Sequence, residues 1–394
     1  MDIVITPNKL EGRIGAISSK SYAHRMLICA ALADGESEIV IDNLSKDIEA
    51  TISALTSLGA TIKRKDNIFS VSPVKDEKDA FVDCNESGST LRFLVPVGAA
   101  LGKKCTFTGK GRLPERPMSP ILDLLKANGV SVNDTFPIEI DGKLSGEKFR
   151  IDGSVSSQFI TGLLLALPST GGGEIEITGD FQSKSYVDIT LAVMKEFGVD
   201  VTEKDNTYIV PRKKFSSGLF RAEGDWSNAA FFLAAGADVD NLNENSEQGD
   251  RKIKEILKLL EKEDEEISID VSDIPDLVPI ISVKSAARKG VTKLINAERL
   301  KLKESDRILS TVTMINNLGG KAEGTENSIT ICGKGGLRGG EVNSFNDHRI
   351  AMSAAIASVY CTEEVKIIGA EAVEKSYPDF YEDFRKLGGI YNVL

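Results

Sequence analysis

A helical signature recurs along this chain at intervals of about seventy residues, and a repeat of that period limits the fold more than any other feature. Ile48, Ile52, Leu55 and Leu58 stand at i, i+4, i+7 and i+10, with Gly59 directly after. The register returns at Met118, Leu122, Leu125, Asn128 and Gly129, and again at Val187, Leu191, Met194, Phe197 and Gly198. It returns at Ile308, Val312, Ile315, Leu318 and Gly319, and finally at Tyr377, Tyr381, Phe384, Leu387 and Gly388. Each copy predicts a three-turn amphipathic helix closed by a glycine that can take left-handed backbone. A further, degraded copy begins at Ile253, Leu257 and Leu260 and dissolves in the acidic run EKEDEE. Alternating runs after the glycines, at 130–134 and 199–203, predict strands.

Each unit also carries an earlier helix of another kind, over 19–35, 87–102, 154–169, 225–238, 273–290 and 346–359. These segments open with small polar capping residues and then turn apolar on nearly every face, which predicts helices buried all round. The unit is therefore a buried helix, a strand, an amphipathic helix and a pair of strands. Six units on two domains give two α/β bodies of pseudo-threefold symmetry. The fourth unit is cut short between Leu260 and Ser268, which predicts a missing strand pair. A buried helix aims its free N–H groups and positive dipole end at one place, and several such ends together make an anion site.

Composition narrows the partners. At 394 residues the chain is long enough for about two domains, and its 41% hydrophobic and 27% charged content is that of a globular protein. It has no apolar run long enough to span a bilayer, and MDIVITPNKL has neither the basic nor the apolar region of a signal peptide, so a cytoplasmic protein without a membrane partner is expected. Five scattered cysteines predict reduced thiols, and with only His24 and His348 no metal centre or other cofactor is expected. A net charge of −11 argues against nucleic acid as a partner. In so acidic a chain, cations gathered at helix starts point to a small anion.

Those starts hold most of the candidate residues. They are Lys20, Ser21 and Arg25 in SSKSYAHR, Gly88 and Arg92 in ESGSTLRF, Arg116 in LPERPM, and Ser156, Ser157 and Gln158 in SVSSQF. Ser183 follows in SKSYVD, Asp276 in IPD, Lys303, Glu304 and Arg307 in LKLKESDR, His348 and Arg349 in NDHR, and Lys375 in EKSYPD. Taken singly, several have plainer readings. Asp276 could cap a helix, Glu304 and Arg307 could be a surface i, i+3 pair, His348 a core histidine and Lys375 a solvated lysine.

As an ordered set, SKSxxxR, SGSTLRF, ERPM, SVSSQF, SKSYVDIT, NSEQGD, IPDLVP, KESDR and NDHRIAM resemble the EPSP synthase family of enolpyruvyl transferases, from about Ile5 to Phe384. The resemblance implies an inverse α/β, barrel-like fold of two domains, each of three βαβαββ-type repeats. One domain would hold residues 1–17 and 223–394 and the other 18–222, with the active site in the cleft. It implies transfer of the enolpyruvyl group of phosphoenolpyruvate to the 5-hydroxyl of shikimate 3-phosphate, in the shikimate pathway. Phosphate leaves by addition and elimination through a tetrahedral intermediate.

Carried over by position, Ser21 and Arg25 would hold the shikimate carboxylate, and Ser157, Ser183 and Lys303 its phosphate. Ser156, Gln158 and Asp276 would touch its ring hydroxyls. Lys20, Gly88, Arg116, Gln158 and Lys375 would surround the donor phosphate, with Arg307 and Arg349 on the donor carboxylate. Lys20 is expected to contact both substrates. Asp276 would be the base and Glu304 the proton donor and later acceptor, with Lys20 assisting and His348 supporting the relay. Arg92, Asp47, Tyr186 and Asp188 would be supporting residues. A monomer acting on two small molecules is expected, and Gly88 goes with glyphosate sensitivity in this family.

The sequence departs from the family at Arg299 and Glu86, where Asn is common. One alternative is the sister UDP-N-acetylglucosamine enolpyruvyl transferase, which generally carries a cysteine in the loop matching 110–117, where this chain has none. The other is a non-catalytic sugar-phosphate-binding protein, in which Asp276 and Glu304 would only weaken anion binding.

Overall fold

The short strands alternate buried and exposed residues, as in Lys148–Asp152 and Glu266–Asp270, so each sheet has one wet face and one face that needs cover. In the computed structural model, which describes residues 1–75 and 79–394, that cover comes from the apolar helices. Two compact units are formed, one of Met1–Ile17 with Gly224–Leu394 and the other of Ser18–Glu223. Glu223 belongs with the second unit, one residue later than expected, because its carbonyl accepts the Ser19 N–H at 2.7 Å.

In the Ser18–Glu223 unit the repeat is plain. Lys148–Asp152 runs parallel to Gly173–Thr178, with Phe149 opposite Ile175, and the buried helix Ser157–Thr170 makes the crossover. The amphipathic helix Lys184–Glu196 then leads to the hairpin Thr202–Lys204 and Thr207–Val210, whose second strand pairs antiparallel with Gly173–Thr178. Ala80–Asp83, Cys105–Thr108, Ile138–Asp141 and Ser131–Val132 repeat this order around the helix Gly88–Leu101. The third sheet takes Leu219–Arg221 as its outer strand, parallel to Ser37–Val40.

The helices Lys20–Ala31, Gly88–Leu101 and Ser157–Thr170 lie inside these sheets. Gly162 lets two of them approach closely, since a Cβ there would stand 2.4 Å from the Arg92 carbonyl oxygen and 2.7 Å from Pro96 Cγ. Leu163, Leu164 and Leu165 are wholly buried, and truncating one such leucine to alanine costs about 2–5 kcal/mol. The C-terminal ends of all three helices meet around Leu32, Leu101 and Ser169, so their N-termini emerge together at the other end.

The Met1–Ile17 and Gly224–Leu394 unit follows the same plan around Trp226–Ala234, Val278–Ala287 and His348–Ala357. Ile3–Thr6 completes a sheet between Val365–Ile368 and Ile390–Val393, although hundreds of residues separate them in sequence. The shortened repeat has only Arg13–Gly15 beside Asp238–Asp240. After the helix Ile253–Leu259 the chain passes straight into Glu266–Asp270, leaving no room for a hairpin.

Two expectations need correction. The last amphipathic copy is not one helix from Tyr377. A 3-10 turn, Ala370–Lys375, precedes the shorter helix Phe380–Lys386, because Pro378 disfavours helical backbone at Tyr377. Nor do all six buried helices carry a side-chain cap. Ser87, Ser156, Asp225 and Asp347 accept an N–H at their helix starts, whereas Ser19 and Leu277 make no such bond.

Candidate active site

In the Ser18–Glu223 unit the converging helix starts carry seven of the expected residues, and Arg116 and Ser183 join them from neighbouring elements. Lys20 and Ser21 open the first buried helix, and Lys20 Nζ meets Asp47 Oδ2 at 2.7 Å. Arg25, one turn further in, is almost fully buried. Its guanidinium donates to Thr190 Oγ1 at 2.8 Å, the Ser21 carbonyl at 2.7 Å, the Tyr186 carbonyl at 2.8 Å and Thr161 Oγ1 at 3.4 Å. All four acceptors are uncharged, and burial pulls the group down to about 10. A cation so placed gains strongly from an anion.

The Gly88 and Ser157 helix starts are tied together. Arg92 donates to Gln158 Oε1 at 2.8 Å and to the Pro117 carbonyl at 3.1 Å, while Gln158 Nε2 donates to Ser89 Oγ at 2.9 Å. This fixes which way the Gln158 amide faces. Ser156 caps its helix by accepting the Gln158 N–H, with Ser157 buried beside it. Arg116 lies against Gly88, where a Cβ would stand 2.4 Å from Nη1. Ser183 holds left-handed backbone at φ 56°, unusual for a residue with a side chain.

The other unit gathers the carboxylates with the remaining cations. Arg307 is 1% exposed and its fork meets three acids. Nη1 donates to Asp276 Oδ1 at 2.6 Å, Nη2 to Glu304 Oε2 at 2.7 Å and Nε to Asp347 Oδ2 at 2.8 Å. Asp276 Oδ2 meets Arg349 Nη2 at 3.3 Å, and Lys303 Nζ lies 3.8 Å from Oδ1. Burial alone would push the Asp276 carboxyl up, but Arg349, Lys303 and Arg307 hold it well below the usual range. Burial pulls the Lys303 ammonium down to about 8 despite Asp276. His348 and Arg349 open the third buried helix, and Lys375 Nζ donates to the Asn346 carbonyl at 2.7 Å.

Three of the plainer readings fail on this geometry, while His348 is 2% exposed, as a core histidine would be. Asp276 stands ahead of the Val278 helix and makes ion pairs instead of a cap. The Arg307 partner of Glu304 is buried, so theirs is no surface pair. Lys375 is 9% exposed rather than solvated. Sequence reasoning did not single out Asp347, which is wholly buried and serves twice. Oδ1 caps the Arg349 N–H at 2.9 Å while Oδ2 holds Arg307 and the Ser305 hydroxyl. Its place between Asn346 and His348 was the available signal.

Residues 4–384 match the family model described as EPSP synthase (3-phosphoshikimate 1-carboxyvinyltransferase). The chain belongs to the EPSP synthase family. It is 43% identical to the 3-phosphoshikimate 1-carboxyvinyltransferase of Clostridium kluyveri, over 98% of this chain and 97% of that protein. The enzyme of the same description from Clostridium novyi is 41% identical, covering 99% and 98%. The solved structure of the EPSP synthase from Acinetobacter baumannii superposes with a TM-score of 0.81 at 25% identity, covering both chains completely. The inverse α/β arrangement of two three-repeat bodies is thus the enolpyruvyl transferase fold. Like other EPSP synthases, this chain is a transferase that moves the enolpyruvyl group of phosphoenolpyruvate to shikimate 3-phosphate in the shikimate pathway.

Proposed function

We propose that the two polar clusters divide the work of this transfer, with Asp276 and Glu304 moving the protons. Ser21 and Arg25 bind the shikimate carboxylate, Ser157, Ser183 and Lys303 the 3-phosphate, and Ser156, Gln158 and Asp276 the ring hydroxyls. Lys20, Gly88, Arg116, Gln158 and Lys375 receive the donor phosphate, and Arg307 and Arg349 its carboxylate. The 5-hydroxyl oxygen attacks C2 of phosphoenolpyruvate, Asp276 accepts the hydroxyl proton and Glu304 delivers a proton to C3. The resulting tetrahedral intermediate then returns a C3 proton to Glu304, the C2–O bond to phosphate breaks, and Lys20 neutralises the departing phosphate. His348 supports the proton relay.

One observation carries this reading. Asp276 and Glu304 are held by Arg307, while Arg349 and Lys303 also face Asp276. Those cations suit carboxylate and phosphate, so an anionic substrate competes with the protein's own acids for them. As the substrates draw the cations away, Asp276 becomes a stronger base at the moment a proton must be taken. A binding protein has no use for acids placed against its cations.

The finer setting belongs to the same proposal. The net charge of −11 and five unpaired cysteines support a cytoplasmic protein that does not bind nucleic acid. Among the described residues no helix is long and apolar enough to cross a membrane.

The test is phosphate release from phosphoenolpyruvate with and without shikimate 3-phosphate, in the wild type, Asp276→Asn and Glu304→Gln. Each variant is expected to lower kcat by about 10²–10⁴-fold while calorimetry still detects shikimate 3-phosphate binding. Near wild-type turnover in either variant removes that residue from proton transfer.

A further inference from the structure

Asp250 has no part in the roles assigned above, yet it is a buried acid beside them. It sits in the 3-10 turn Gly249–Lys252, which packs on the start of the Trp226–Ala234 helix, and it is 3% exposed. Oδ2 accepts the Ser227 hydroxyl, and Oδ1 is buried without a hydrogen-bond partner among the described residues. No cation hydrogen-bonds this carboxyl there. Arg349 Nε and Asn228 Nδ2, two donors of the same cluster, are likewise buried without acceptors among the described residues. Arg349 meanwhile spends Nη2 on Asp276 and Nη1 on Asn228 Oδ1 at 3.4 Å.

The charges acting on Asp250 come from several elements. Asp225 caps the Trp226 helix, Asp276 precedes the Val278 helix, and Arg349 opens the His348 helix. On its own turn Arg251 and Lys252 are exposed, with Lys252 near Asp273 at 3.8 Å. On the following helix, Lys254 pairs with Glu244 at the surface. A buried acid between two other acids and one shared guanidinium is costly to ionise.

We propose that Asp250 is a proton-holding positioning residue for Arg349. While neutral it leaves that guanidinium to Asp276 and to the donor carboxylate, and when ionised it competes for it. In this geometry burial first and the Asp276 charge second push the Asp250 carboxyl up to about 7, where small changes of pH change its state. The proposal rests on the reading that Arg349 receives the carboxylate of phosphoenolpyruvate.

The experiment is KM for phosphoenolpyruvate and kcat from pH 6 to 9 in the wild type, Asp250→Asn, Ser227→Ala and Arg349→Lys. In the wild type KM is expected to rise about three- to tenfold as Asp250 ionises, and the neutral isostere introduced by Asp250→Asn flattens that rise. Ser227→Ala removes a bond that favours the ionised form and moves the inflection to higher pH. The substrate phosphates titrate near pH 6 in every variant and cancel in the ratio to wild type. A parallel profile in Asp250→Asn, even with lower kcat throughout, overturns the proposal. If that variant does not fold, an unmoved inflection in Ser227→Ala overturns it. An unchanged KM in Arg349→Lys instead overturns the binding reading beneath it.

Discussion

Arg307 Nη1 donates to Asp276 Oδ1 at 2.6 Å, which joins the expected donor-binding cation to the expected base. What holds Arg307 in that position is the buried Asp347 on its Nε. Asp347→Asn keeps a capping oxygen for the Arg349 N–H but removes the charge opposing Arg307. The variant is expected to lose about 1–3 kcal/mol in urea unfolding and to raise KM for phosphoenolpyruvate about tenfold, more than it lowers kcat. An unchanged KM would mean that Asp347 only caps its helix.

The pH dependence of acceptor binding follows from Lys303. Its folded value is lowered to about 8, so the free enzyme presents a cation below pH 8 and progressively loses it above. Affinity for shikimate 3-phosphate is therefore expected to fall severalfold between pH 7 and pH 9.5, as read by calorimetry. Lys303→Arg stays protonated across that range and should remove the slope. A slope that survives in Lys303→Arg assigns the dependence to another group.

Gly88→Ala tests the close approach of Arg116. The added methyl would stand 2.4 Å from Nη1 and 2.8 Å from Cζ, so the flexible guanidinium must move away from the helix start. KM for phosphoenolpyruvate is expected to rise about tenfold with little loss of stability, because the displaced group is the end of a long side chain. A large fall in melting temperature would show instead that the backbone had shifted.

Ser183 offers a trade of function against stability. Its left-handed φ of 56° strains a residue with a Cβ, and Ser183→Gly relieves that while loosening the unfolded chain. The net expectation is a gain of about 0.5–1 kcal/mol in denaturant unfolding. Weaker binding of shikimate 3-phosphate should accompany it. A stability loss would indicate that the hydroxyl supports the fold rather than the ligand.

Much of this arrangement was legible along the chain. The heptad-like stripes from Ile48 to Leu58 and from Val187 to Phe197 became the helices Lys46–Ser57 and Lys184–Glu196, because one buried face suffices to fix such a helix. The cut at Leu260 became a two-stranded sheet for want of residues to build a hairpin. The stripe from Tyr377 misleads because apolar spacing carries no record of what the following Pro378 forbids. Asp347 escapes notice because an acid beside a histidine looks like any helix cap until its other oxygen finds Arg307.

The sequence by itself thus determined the repeat, the buried helices and the residue types at their starts, since periodicity and capping act over a few turns of chain. Only the tertiary structure decided which charges meet. Asp276 and Arg349 lie 73 residues apart, and Arg307 and Asp347 40 apart. Such pairings depend on how three helices pack around a shared axis, and burial then sets whether an acid there is held ionised, as at Asp276, or pushed toward neutrality, as at Asp250.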